Sequence, residues 1–182
     1  MTGPSIVSQV GGLFRPFVNI CLLTSVPQDL PDSRTLLVLT LVGYALVGLF
    51  LAVPLYGVAS GTMQTALDVA MLAIYTWLVL RIAGYGARFG QTLTALAGAG
   101  VIMGLVALPL VNSLTTSDAR GVDNVPATFG YLFLVGWLIV VYGHIFRHAL
   151  SRPLPTGLFV SLGYLVLSAL VMGLAFPGST TG

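Results

Sequence analysis

The chain has 182 residues, of which 57% are hydrophobic and only 7% charged, and its mean hydropathy is +1.00. A soluble domain carries about 25% charged residues, so this composition cannot clothe a water-facing surface, and lipid must be the main solvent. Seven Arg against five Asp, with neither Lys nor Glu, leave a net charge of +2, far too sparse to offset the phosphates of a nucleic acid.

At about 20 residues per crossing, the length admits five or six spans and no separate soluble domain. The single Cys21 has no internal disulfide partner and no Cys cluster around it, so it reads as a buried thiol rather than a nucleophile. The first dozen residues lack a basic start and a compact apolar core ahead of a small-residue cleavage site. The first true span is therefore expected to direct insertion.

Residues 5–26 are apolar but broken. Ile6, Val10, Leu13, Phe14, Phe17 and Cys21 recur at helical spacing, while Gly11, Gly12, Arg15 and Pro16 interrupt the middle. As a span this segment would bring Arg15 near mid-bilayer at a cost of about 2.5–3.5 kcal/mol. As an amphipathic helix in the interface it lets Arg15 reach the headgroups. The interfacial reading is preferred, so residues 1–33 are an N-terminal cytoplasmic or interfacial segment. Pro27 to Arg34 is a polar turn ending in a helix start, with Asp32 or Ser33 as the cap.

A five-span membrane domain is expected over 34–177, with spans at about 35–56, 62–82, 92–111, 127–146 and 156–176, and residues 178–182 form a flexible tail. Gly57 to Gly61 reads as a short uncharged turn, Arg81 to Gln91 as a basic glycine-rich turn, Asn112 to Asn124 as a loop in water, and Arg147 to Pro153 as a second basic turn. The fold class is thus an all-α integral membrane protein, a five-helix bundle with an N-terminal interfacial helix. Each span is too continuous for the alternating strands of an outer-membrane barrel. With five spans Arg15, Arg34, Arg81, Arg88, Arg147 and Arg152 share one side and only Arg120 takes the other. The positive-inside rule then makes the N-terminus cytoplasmic and the C-terminus external. The expected address is the bacterial cytoplasmic membrane.

Asp68 is the one acid inside an expected span, and intramembrane carboxylates are candidates for proton carriers or ion ligands. It lies early in that span, so a slightly later helix start would leave it wet at the outer interface, which is the preferred reading. Gln64 and Tyr75 share its face and are placed where they could supply hydrogen bonds. His144 and His148 share a face at i and i+4, a weak metal pair without a third ligand, and contact with headgroups is the preferred reading. Arg81, Arg88, Arg147 and Arg152 are expected to face lipid headgroups. Ala97, Gly100, Gly104 and Ala107 form a small-residue stripe that includes a GxxxG, suited to close helix packing, more readily within the chain than with a partner. Gly84-Tyr85-Gly86 follows no strand and lacks nucleotide-loop spacing. No HExxH, GxSxG or Ser–Lys pair is present, and no cofactor is expected.

Two features together resemble the Yip1 family of five-span membrane proteins. One is the topology over about residues 35–176. The other is Gly86-Ala87-Arg88-Phe89-Gly90-Gln91-Thr92-Leu93, similar to the small-basic-Phe-x-Gln-Thr wording of bacterial members. The acidic-Leu-Tyr-Gly-Pro motif of eukaryotic members is replaced here by Asp29-Leu30-Pro31, so no link to small GTPases or vesicle traffic is carried over. The resemblance implies a fold and a non-enzymatic membrane role, and it transfers no functional residue. The expected function is a scaffold or accessory subunit that binds membrane lipids, other membrane proteins or further copies of itself. The alternative is a small transporter or channel-like protein using Asp68 as its ionisable site.

Overall fold

A computed structural model of the protein describes residues 6–176, with the side chains of its first helix described from Phe14 onward; the C-terminal tail expected at 178–182 lies outside the described residues. The elements are α1 (Ile6–Cys21), α2 (Arg34–Ile82), α3 (Phe89–Asp118), α4 (Val125–Ala149) and α5 (Leu154–Ala175), with short 3-10 turns at Pro27–Asp29 and Gly86–Arg88. No strand occurs among the described residues. Four helices, α2 to α5, are long and apolar enough to cross a membrane.

Helix α2 has 49 residues. Straight, it would measure about 74 Å, more than twice the ~30 Å hydrocarbon core. It does not run straight. Gly57 has φ 80° and ψ 169°, a backbone region essentially reserved for glycine, and the chain reverses there. Tyr44 in the first limb hydrogen-bonds Asp68 in the second, two residues that a straight helix would hold about 36 Å apart. Small residues let the limbs close on each other. A Cβ on Gly61 would come within 2.9 Å of the Val53 backbone, and one on Gly48 within 3.0 Å of Thr65.

Two expected loops are instead helical. The reversal is confined to Gly57, so Val58 to Gly61 already belong to the second limb, and α3 runs on through Asn112 to Asp118. The reason is the same in both places. The Thr62, Thr115 and Thr116 hydroxyls donate to carbonyls one turn back, Val58, Val111 and Asn112 respectively, so these polar residues satisfy themselves inside a helix. The water-facing loop shrinks to the residues before Asn124, which caps α4 by accepting from the Ala127 N–H and donates to Ser113 and Ser117. Ser33 caps α2 through the Leu36 N–H.

The bundle packs unevenly along its length. Near the arginine-rich turns residues 92–100 of α3 and 141–146 of α4 are all buried, and Ile20, Leu72, Leu80, Leu96, Ile145 and Phe146 are less than 2% exposed. Helix α1 lies across this half. Phe17 seats on Gly98, the Cys21 thiol donates to the Ala99 carbonyl at 3.9 Å, and the Trp137 indole donates to the Cys21 carbonyl. From there the chain climbs back as a strap, with Gln28 donating to the His148 carbonyl and Gln91 to the Leu30 carbonyl. On the other flank α4 and α5 touch backbone to backbone, because a Cβ on Gly157 would strike the Gly143 carbonyl.

Candidate functional site

Asp68 lies in the second limb of α2, about 16 Å along the axis from Gly57 and about 21 Å from Ile82. Asp68 thus stands midway along the limb, where its side chain is half-buried, rather than a few residues from its end: the second limb begins four residues earlier than its composition suggests. Its hydrogen bonds come from residues other than Gln64 and Tyr75. Tyr75 shares its face but donates to the Val160 carbonyl at 2.7 Å. The carboxylate is gripped from the first limb of α2 and from α5, with Tyr44 donating to Oδ2 at 2.5 Å and Tyr164 donating to Oδ1 at 3.1 Å.

A third tyrosine completes the cluster. Tyr142 of α4 is buried, with its ring 6.1 Å from that of Tyr164. A Cβ at Gly100 would run into the Tyr44 ring and lie 3.1 Å from the Tyr142 hydroxyl, so the first glycine of the GxxxG makes room for two tyrosines. Gly104 packs against Val47 in the same way, and Ala97 and Ala107 are buried. The small-residue stripe is thus engaged within this chain. Gly98, outside that stripe, is the seat of Phe17.

Two cavities share Asp68 as wall. One, about 260 Å³, lies between the first limb of α2, α3 and α4 and runs from Tyr142 and Gly100 to Leu55 and Val111. The other, about 450 Å³, lies beside α5 and includes Gln64, Thr65, Tyr56 and Ser168. Gly48, Leu51 and Tyr131 also border both. Both extend towards the Gly57 reversal, away from the arginine-rich turns, while the packed half described above lies on the other side of Asp68. A separate apolar groove of about 260 Å³ between α1, α2 and α3 is lined by Phe14, Phe17, Leu39 and Gly98 and does not include Asp68.

The remaining sequence candidates fall at the arginine-rich end. His144 and His148 have ring centroids 4.7 Å apart, but both Nε2 atoms are engaged. That of His144 is 3.1 Å from the Ser25 carbonyl, to which it must donate, and that of His148 accepts from Arg147 Nε at 3.0 Å. Among the described residues no group of three His, Cys, Asp or Glu side chains could hold a metal. Arg88 departs from the headgroup-facing expectation. One guanidinium nitrogen lies within 3.3 Å of the His148 carbonyl, the Ala149 carbonyl and the Ser151 hydroxyl. It thereby neutralises the carbonyl end of α4, a favourable place for a cation. Arg81 and Arg152 are exposed, and Arg147 is half-buried. Burial pushes the Cys21 thiol up to about 11, so it is an un-ionised, poor nucleophile at neutral pH.

Sequence offered no route to the tyrosine cluster. Tyr44, Tyr142 and Tyr164 are scattered over three elements, and only the tertiary fold brings them to Asp68. Comparison with protein-family models, with curated proteins and with solved structures gives no match to this chain.

Proposed function

We propose that this is a five-span integral membrane protein of the bacterial cytoplasmic membrane, and that it binds and carries a small solute or ion through Asp68. The observation that carries the reading is the shared wall: a half-buried carboxylate midway along a helical limb, held by hydroxyls from the first limb of α2 and from α5 and bordering two cavities. Carboxylates are rare within spanning helices and mark ion or substrate paths. The two limbs of α2 with α3, α4 and α5 supply five crossings, in keeping with a Yip1-type arrangement. Clustering of Arg34, Arg81, Arg88, Arg147 and Arg152 at one end supports a cytoplasmic N-terminus and an external C-terminus. In that orientation both cavities face outward.

A non-enzymatic scaffold or accessory subunit is the second reading, favoured by the exposed arginines Arg34, Arg81 and Arg152 at one end, which suit anionic headgroups. Its other support, the small-residue stripe, is weaker now that Gly100 and Gly104 pack on Tyr44 and Val47. Asp68→Asn separates the two. Reconstituted protein should move at least one solute from a panel of weak bases, quaternary amines, neutral polyols, organic acids and alkali cations, and the variant should not. Flux that survives the substitution, or wild-type protein that moves nothing in the panel, would sink the carrier reading. A scaffold would keep its co-purifying partners in both forms.

A further inference from the structure

What Asp68 holds is narrowed by the cavity walls. We infer that the ligand is a small organic cation, an amine or quaternary ammonium with an apolar body, seated in the ~260 Å³ cavity against Asp68; the inference rests on the carrier reading above. Among the residues lining the two cavities, Asp68 is the one Asp, Glu, His, Lys or Arg. An anionic ligand would meet repulsion there with no cation to relieve it. A cation would hold the carboxyl in its ionised form by pairing with it, whereas opposite a neutral ligand an uncompensated charge there is costly and the group takes up a proton instead.

Metal cations fit poorly. Hard ions such as Ca²⁺ or Mg²⁺ are bound by six or more oxygens, and beside Asp68 the smaller cavity offers tyrosine hydroxyls, of which that of Tyr44 is already committed to the carboxylate. An ionised carboxylate has about four acceptor positions; Tyr44 and Tyr164 use two, which leaves capacity for an ammonium. The rest of the wall suits the body of such a ligand. Tyr131 and Tyr142 line it with aromatic rings, a residue type whose π face attracts organic cations, and Met103, Leu134 and Leu138 provide apolar surface. The volume lies just under the roughly 300–1,000 Å³ of drug-sized sites, so the cation is small.

The test is equilibrium dialysis of radiolabelled benzyltrimethylammonium against purified full-length protein in mild detergent, with phenylmethanesulfonate as the anionic counterpart of similar shape. The wild type should retain the cation and not the anion. Asp68→Asn should weaken retention at least about tenfold, the scale of a hydrogen bond or contact to a charged group. Val135→Phe, which fills the cavity without altering Asp68, should weaken it too, and it decides the matter if the Asn variant fails to fold. Retention unchanged in the variants, or equal for the anion, overturns the inference. If the cation is not retained but some other solute shows Asp68-dependent flux, the ligand class is wrong and the carrier reading stands. If neither is seen, both fall.

Discussion

The tyrosines around Asp68 are unequal, and the difference is measurable. Tyr44 approaches at 2.5 Å, within the range of an O–H···O⁻ bond, whereas Tyr164 stands at 3.1 Å. Short bonds to an ionised acceptor are roughly twice as strong as neutral ones. Removing one leaves a carboxylate oxygen short of a donor, at a cost of about 1.5–3 kcal/mol. Tyr44→Phe should therefore lower the thermal midpoint in detergent more than Tyr164→Phe, although both keep the ring in place. The opposite order would show that the Tyr44 bond is not the anchor of the site. Composition and periodicity single out Asp68 because a charge in an apolar run stands out. They say nothing of its partners, which lie 24 and 96 residues away. Helical spacing instead nominates Tyr75, whose hydroxyl goes to α5.

At the scale of elements, existence was legible and endings were not. Long apolar runs make helices in lipid because the backbone has no other way to satisfy its polar groups, and that logic reads well from sequence. Glycine and threonine clusters such as Gly57 to Thr62 look like turns by composition, yet hydroxyls bonding back to carbonyls keep such residues helical, and only Gly57 takes the strained conformation. Contacts between helices were partly legible: the GxxxG of α3 announces a close approach, but nothing marks Gly143 and Gly157 as a pair across the Arg147–Pro153 turn. Their contact is close enough to make a strong prediction. Gly157→Leu must drive α5 off the α4 backbone, because the new side chain would meet the Gly143 carbonyl and the Arg147 backbone. Forcing extra atoms into such packing costs about 1–3 kcal/mol or more. The variant should unfold at lower temperature, while Gly173→Leu in the same helix, where a Cβ meets nothing within 4 Å, should be nearly neutral. Equal stability of the two would mean that the α4–α5 contact is not close in the membrane.

For the whole molecule the deciding question is parity. Counted as helices, four elements are apolar enough to cross, and four crossings would put the chain ends on the same side. Counted as limbs, the reversal of α2 at Gly57 makes five and puts them on opposite sides. Length argues for limbs, since an uninterrupted α2 would overshoot the ~30 Å hydrocarbon core by more than a factor of two. Charge argues the same way. Folding α2 back brings Arg34 and Arg81 to the end that also holds Arg88, Arg147 and Arg152, while Arg120, accompanied by Asp118 and Asp123, sits at the other. Arginine counts in short loops set orientation, so that end should be cytoplasmic. Alkaline phosphatase fused after the C-terminal residue should then be active, and green fluorescent protein fused there should be dark. A fusion placed in the Arg147–Pro153 turn should behave in the reverse manner. A C-terminal fusion that is inactive as phosphatase but fluorescent as GFP would mean an even number of crossings or an inverted protein, and the turn fusion narrows the choice. If the turn stays cytoplasmic while the C-terminus is cytoplasmic too, α5 does not cross. If both fusions reverse, either α2 crosses only once or the whole bundle is inverted; a fluorescent protein fused ahead of Met1 is bright in the first case and dark in the second, where the cavities that meet at Asp68 open to the cytoplasm instead.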